Sequence, residues 1–288
     1  MMYMNTILFP SSYFDFKNVD EQLIEEYNAV VESGLFDVIL FDYDKFISEG
    51  VLKISNKPND ITLTTYRGWM LKPSEYEKLY NGLLNYNIKL ITTPETYQNF
   101  HIFPNIYPNL KDDTARTLVY DSGQEPNFDE IISTMDRFMI KDFVKSVKGT
   151  DFPKFFDSSI SKEDFNSWMS IFYKYRGDLF TGGICVKEFL DLKKYGDNVN
   201  EYRVFYIKNK PATISRNSGQ PIYAARPPME LIEKYSKLSS QFYTVDYAEL
   251  QDGTWKIIEA GDGSVSGLSE GQDYNAFFRT LFQHINYI

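Results

Sequence analysis

The second half of the chain places charged residues inside or at the ends of otherwise apolar runs. Lys141, Lys187, Arg203 and Arg216 supply the basic ones, and Glu188, Glu201, Asp246 and Glu259 the acidic ones. Strand interiors favour β-branched and aromatic side chains, so charges repeated over successive strands call for a ligand. Lysines act on phosphate as point charges, arginines as planar forks, and carboxylates hold a hard cation such as Mg2+. A nucleoside triphosphate with its metal requires this set of groups. Asp246 and Glu259 lie within Phe242–Leu268, FYTVDYAELQDGTWKIIEAGDGSVSGL, which reads as strands Phe242–Leu250 and Thr254–Ala260 joined at Asp252-Gly253. Asp-Gly favours a type I′ hairpin because both central residues need positive φ. Pairing of the two strands would bring the acids together over one cation. Taken alone, the segment also reads as a surface hairpin with solvated acids.

Arg67 stands in YRGWM, directly after an expected strand Ile61–Tyr66. Ligands approach the carboxyl ends of strands in open α/β sheets, so Arg67 could fork a carboxylate or phosphate there. Stacking on Trp69 or Tyr66 is the alternative. Other chemistries are poorly provided for. There is no GxxxxGK[ST] loop, no kinase HRD/DFG set and no GxGxxG. His101 and His284 are the only histidines, which disfavours a multi-histidine zinc site. The lone Cys185, inside the apolar run ICV, reads as a small core residue and rules out an internal disulfide.

The elements that would carry these residues follow from periodicity. The chain has 288 residues, 43% hydrophobic and 24% charged, enough for a substantial core and two domains. Strands are expected at Asn5–Phe9, Val38–Phe41, Ile61–Tyr66 and Ile88–Thr92, with helices at Val19–Ser33 and Ser74–Asn85. Such an alternation forms an open α/β domain. Thr96–Asp121 reads as loop-rich and Phe128–Met135 as a short helix, with a domain boundary near residue 125. Strands Phe138–Val144, Ile184–Leu190, Glu201–Ile207 and Pro211–Arg216 follow, with a helix at Ser161–Tyr175 opened by the capping pattern SKED. Helices at Met229–Gln241 and Asn275–Ile285 complete the pattern. A net charge of −10 disfavours nucleic acid as a partner, though a local basic pocket can sit in an acidic body. The 17% aromatic content reads as core material. No run suits a membrane span and the start lacks the form of a signal peptide, so a reducing, cytoplasmic setting is expected.

In this order the motifs resemble the ATP-grasp superfamily over roughly residues 136–270. FMIKDFVKS is similar to the first lysine-bearing strand, and ICVKEFL to the strand linking the two lobes. EYRVFYIKNKPATISR is similar to the strand pair that follows in carboxylate–amine ligases, and VDYAELQDGTWKIIEAGDG to the metal hairpin. YRGWM, KDFVKS and EAGDGSVSGL together resemble a divergent clade of predicted peptide or amide ligases with a shared arginine and lysines. The resemblance implies an α/β (α+β) fold: an N-terminal open α/β domain, residues 1–125, then an ATP-grasp domain, 126–288, with lobes at about 126–190 and 191–288. It implies ATP held by Lys141, Lys145, Lys148, Lys187, the Glu188–Phe189–Leu190 segment and Glu201. Mg2+ would be held by Asp246, Glu259 and Asp262. Arg203, Arg216 and Arg67 would serve the transferred group and the substrate.

Two departures stand out. The family ending Glu-x-Asn appears here as Glu259-Ala260-Gly261, with Asp262 the nearest replacement carboxylate. The lid segment VKGTDFPKFF has a single glycine. The resemblance implies an ATP- and Mg2+-dependent carboxylate–amine ligase acting through an acyl phosphate. The alternatives are an ATP-binding protein that has lost ligation and an ATP-dependent phosphotransferase. Loop 100–125 and Gln220–Arg226 are the expected substrate-reading segments.

Overall fold

The computed structural model describes residues 5–147, 149–269 and 271–286. Lys148, one of the expected phosphate ligands, lies outside the described residues.

The N-terminal strands are β1 (Thr6–Pro10), β2 (Asp37–Phe41), β3 (Thr62–Tyr66) and β4 (Ile88–Leu90). They form a parallel sheet in the order β2-β1-β3-β4. The crossovers are α1 (Ile24–Ser33), α2 (Tyr43–Glu49) and α3 (Pro73–Leu84). The expected strands are found here, and the expected helix 19–33 begins as a 3-10 turn at Glu21–Leu23. Helix α2 gave no periodic signal because it is short. Asp42 caps it, accepting from the Lys45 N–H, and Gly50 ends it at φ 70°.

The expected loop 96–121 proves structured. Thr93 caps α4 (Pro94–His101), α5 (Phe103–Leu110) follows at once, and then β5 (Thr117–Tyr120). Prolines at the first positions of α4 and α5 are helix-compatible, because the missing N–H has no partner there anyway. Their aromatic content is amphipathic: Tyr97, Phe100, Phe103, Ile106 and Leu110 are buried.

Two antiparallel sheets make up the remainder. The first holds β6 (Arg137–Asp142), β7 (Phe156–Asp157) and β8 (Ile184–Glu188) with β5, in the order β5-β8-β6-β7. Helices α6 (Phe128–Thr134) and α7 (Lys162–Arg176) share its apolar cluster. Because β5 precedes residue 125, this sheet draws on chain ahead of the expected boundary. A small ribbon, β9 (Lys194–Tyr195) with β10 (Asn198–Val199), leads to the second sheet. That sheet contains β11 (Glu201–Ile207), β12 (Lys210–Arg216), β13 (Phe242–Glu249) and β14 (Trp255–Asp262) in the order β12-β11-β13-β14. Helix α8 (Met229–Lys234) is shorter than the expected 229–241, since Tyr235 O and Leu238 O accept from the Tyr243 hydroxyl and the Ser240 N–H instead. The final helix is α9 (Tyr274–Asn286).

The two hairpin turns depart from expectation in an instructive way. At 250–254 only Gly253 is left-handed, at φ 86°, so this is a longer loop than type I′. The Asp252 carboxylate stabilises it by accepting from the Thr254 N–H at 2.9 Å. The β11–β12 turn is the one with two left-handed residues, Lys208 (φ 47°) and Asn209 (φ 63°).

The faces of the second sheet decide what it does. Residues directly opposite in antiparallel strands share a face. Val204, Tyr206, Tyr243, Val245 and Tyr247 point to one side and pack with α5, α8 and Cys185. Phe205, Ile207 and Phe242 point to the other and pack with Ile7 and Phe9 of β1, with α1 and with α9. Burying each such aromatic is worth about 2–3 kcal/mol, so this face fixes the N-terminal sheet on the second sheet. The same face continues past Phe205 to Arg203, Asp246 and Glu259, where the apolar cover ends.

Candidate active site

Asp246 lies opposite Glu259 across the β13–β14 pair, as the hairpin reading requires. A bulge follows at Asp246/Tyr247 and leaves Ile258 without a counterpart. Glu259 is exposed. Asp246 is 2% exposed and both its oxygens accept from Arg203, at 2.8 Å from Nε and 2.6 Å from the second guanidinium nitrogen. Burial raises the Asp246 carboxyl above its ordinary range, against the opposing pull of that guanidinium. Arg203 also donates to Gly267 O at 2.9 Å.

Lys141 on β6 and Lys187 on β8 sit on adjacent strands of the first sheet. Each ammonium lies 5.0 Å from the centroid of Phe103, at the start of α5. Lys187 is 7% exposed and donates to Ile258 O at 2.7 Å, which joins the first sheet to the bulge of the second. Burial, with Lys141 adding to it, lowers its pKa to about 7. Phe103 was not legible as a site residue, because a Phe-Pro step in an apparent loop carries no chemical signal.

A cleft between the sheets runs as three adjoining cavities. The first, about 460 Å3, is lined by Met139, Lys141, Lys187, Arg176, Ile258 and Glu259. The middle one, about 250 Å3, is lined by Lys141, Phe103, His101, Arg203, Thr244 and Glu259. The outer one, about 480 Å3, is lined by Glu21, Glu25, Arg67, Trp69, Met70 and Ser266. Lys145 borders all three.

Other expected residues lie elsewhere. Arg67 is 2% exposed and already engaged. It forks Glu26 at 2.8 and 2.7 Å and donates to Ser266 O at 2.8 Å and to Gly263 O. With Arg203 it therefore clamps the loop that follows β14. Arg216 lies opposite Tyr202, so the register puts it on the sheet face away from Arg203 and Asp246. It lines a separate cavity of about 310 Å3 with Gln220, Ile222 and Arg226, three residues of the expected substrate-reading segment. Glu201 shares the Arg203 face, and its oxygens accept from Asn217 and Ser218 at 2.6 and 3.2 Å. In the linker segment Glu188 donates its N–H to Arg116 O. Phe189 packs at 4.5 Å from Phe155, and the Arg137 guanidinium stacks on both rings. Leu190 is half-buried next to them.

Asp262 follows the same logic of alternation. It pairs with Tyr243, on the face away from Glu259, and is 1% exposed. Its carboxylate accepts from the Ser264 N–H at 2.9 Å, and burial pushes its pKa up to about 6. The position on the Glu259 face is Gly261, and a Cβ there would meet Ser266 Oγ at 3.3 Å and Thr244 Oγ1 at 3.5 Å. Those two hydroxyls bond each other at 2.8 Å and occupy that ground. Among the described residues no three of His, Cys, Asp or Glu converge to hold a metal. Two carboxylates suit Mg2+ that arrives on a triphosphate and keeps water ligands, not a self-sufficient protein cage.

Among the described residues no helix is long and apolar enough to cross a membrane. The fold recurs in solved structures. The D-alanine-D-alanine ligase from Coxiella burnetii matches with a TM-score of 0.65 at 9% identity, over 98% of this chain and 94% of that one. D-cycloserine synthetase DcsG matches with a TM-score of 0.63 at 10% identity, over 98% and 100%. The ATP-grasp ligase PsnB, solved with a phosphomimetic variant of a minimal precursor, Mg and ADP, matches with 0.59 at 11%, over 98% and 99%. No curated protein matches the sequence. Residues 123–281 match the model of an ATP-grasp domain, family 3 of the clade named for one arginine and two lysines, and the chain belongs to that family.

Proposed function

We propose that the protein is an ATP-dependent ligase that joins a carboxylate to an amine, with ADP and phosphate as the other products. The observation that carries this is the cleft itself: Lys141, Lys187 and Lys145 on one wall, Arg203, Asp246 and Glu259 on the other. A substrate carboxylate oxygen attacks the γ-phosphorus and ADP leaves with the bond pair. The amine nitrogen then attacks the acyl carbon, phosphate leaves, and the amine gives up a proton. This sequence needs neutralised phosphates, in-line placement and a cation for the oxyanion, and no protein nucleophile. It therefore agrees with a chain whose one cysteine is buried.

In this reading Lys141 and Lys187 hold phosphates and Phe103 keeps their ammonium groups apart from water on one side. Glu259, with Asp246, is the metal end of the site, and Mg2+ bound there would neutralise developing charge on the β- and γ-oxygens. Arg203, fixed by Asp246 and Gly267 O, presents a cation to the transferred group. The linker Glu188–Leu190 borders the base. The outer cavity takes the acceptor substrates. Amino acids or peptides are the substrate class proposed, by analogy with the ligases that share the fold. A cytoplasmic setting fits the single buried thiol.

A second reading, nucleotide binding without ligation, draws on Gly261 and on the Arg203 fork that occupies both Asp246 oxygens. ADP release measured across panels of carboxylates and amines separates the two. Acceptor-dependent ADP with an amide product supports ligation, and a stable phosphorylated product would point to a phosphotransferase. Tight ATP binding with no turnover on any pair would overturn the ligase reading.

A further inference from the structure

Four N–H groups from three segments converge on the carboxylate of Asp142, the last residue of β6, which has no exposed surface. Oδ1 accepts from the backbone of Val144 at 2.7 Å and of Lys145 at 2.6 Å. Oδ2 accepts from Arg176 Nε, at the end of α7, at 2.8 Å and from the Thr181 N–H at 3.3 Å. The Asp142 N–H returns a bond to Lys145 O at 2.9 Å, closing the turn on itself. The turn is anchored outside as well. Phe143 donates to Thr181 O, and Phe143 O accepts from the N–H of Phe103, the residue that faces Lys141 and Lys187.

The product of this arrangement is one fixed backbone position with a free side chain. Lys145 is exposed, and its ammonium has no hydrogen-bond or ion-pair partner among the described residues. It is also the residue that borders all three cavities. A cation at that junction meets whatever passes between the phosphate end of the cleft and the acceptor end. In a nucleotide cleft that group is the terminal phosphate.

We propose that Asp142 is a positioning residue: its carboxylate, braced by Arg176, sets the turn that holds Lys145 where the nucleotide and acceptor cavities meet. The proposal rests on the nucleotide reading of the cleft and adds what that reading leaves open. It explains how a lid segment with a single glycine keeps order at its base. A buried carboxylate accepting several N–H bonds replaces the backbone N–H cradle that a glycine-rich loop would form. It also divides the lysines by task. Lys141 and Lys187, facing Phe103, serve the inner phosphates, and Lys145 reads the third one.

The test compares Mg2+ complexes of a non-hydrolysable ATP analogue and of ADP by calorimetry, using wild type, Asp142→Ala, Asp142→Asn and Lys145→Ala. Asp142→Ala and Lys145→Ala are each expected to weaken the triphosphate by about tenfold, the size of one charge-assisted contact. ADP affinity stays within about twofold, so the preference for the triphosphate disappears. Asp142→Asn keeps an oxygen acceptor for the Val144 and Lys145 amides and retains most of the preference. The double variant Asp142→Ala/Lys145→Ala is no weaker than either single one, because both remove the same contact. Equal losses for both nucleotides, or additive losses in the double variant, would overturn the assignment. Amide exchange at residues 143–147 in the free protein gives a reading that does not depend on nucleotide. Faster exchange there in Asp142→Ala, with the rest of β6 unchanged, supports the turn's dependence on this carboxylate, and unchanged exchange refutes it. Failure of wild type to bind either nucleotide would instead refute the nucleotide reading.

Discussion

Nucleotide binding is expected to draw a proton onto Lys187. In the free protein burial holds this lysine at about pKa 7, with its ammonium on Ile258 O at 2.7 Å. A fall from 10.5 to about 7 disfavours the charged form by roughly 5 kcal/mol. Phosphates beside it would repay that penalty and return the group toward its ordinary range. At pH 8 the free side chain is about one-tenth charged, so binding takes up about 0.9 proton per nucleotide; at pH 6 uptake falls to about 0.1. Nucleotide phosphates are fully ionised at pH 8 and do not contribute. Affinity accordingly drops by about fiftyfold between pH 7 and pH 9. Calorimetry at pH 8 in buffers of different ionisation enthalpy gives the proton count as a slope. Lys187→Met is expected to abolish the uptake. The free protein changes in the opposite sense. Between about pH 7 and 10.5 the unfolded chain holds this proton and the folded chain does not, so stability rises with pH through that window. Below the window both states are protonated and that gain is absent. Proton uptake below about 0.2 at pH 8, or equal uptake in Lys187→Met, would refute the reasoning.

Other variants separate structure from chemistry. Glu259→Gln, at an exposed position, is expected to leave the melting temperature nearly unchanged while cutting ADP formation at least ~100-fold, measured by coupled assay. Arg67→Ala strands the buried Glu26 carboxylate and two carbonyls, and is expected to cost about 3–5 kcal/mol in denaturant unfolding, marking Arg67 as a clamp and not a substrate contact. Gly261→Asn combined with Ser266→Ala restores an oxygen donor beside Glu259 and removes the hydroxyl 3.3 Å from its Cβ. Mn2+ is then expected to bind more tightly with ADP, read by electron paramagnetic resonance. No gain over wild type would count against Glu259 as the metal end.

What the sequence disclosed and what it hid have physical reasons. Period-2 runs located the four strands of the second sheet. The opposition of Asp246 and Glu259 followed from one hairpin, since pairing within a hairpin is local. Faces were harder. Arg203 and Arg216 look alike in the sequence, yet an irregularity at Phe205/Tyr206 and the turn length set which side each takes, and they end on opposite faces. Asp262 looked like a replacement for the missing asparagine, but a one-residue offset in a strand reverses direction. Arg67 was legible as important and illegible in role. Its partners, Glu26 and the carbonyls of Gly263 and Ser266, are distant in sequence, and only the packed fold brings them together. Helices α4 and α5 escaped because prolines read as breakers, while at a first helical turn they start helices.

The most direct measurement is a crystal structure of the protein with a non-hydrolysable ATP analogue and Mg2+. The triphosphate is expected in the cleft between the sheets, with its inner phosphates at Lys141 and Lys187, its terminal phosphate at Lys145 and the cation at Glu259. An analogue bound instead in the Arg216–Arg226 cavity, or a cleft that excludes nucleotide while the protein remains folded, would contradict the assignment.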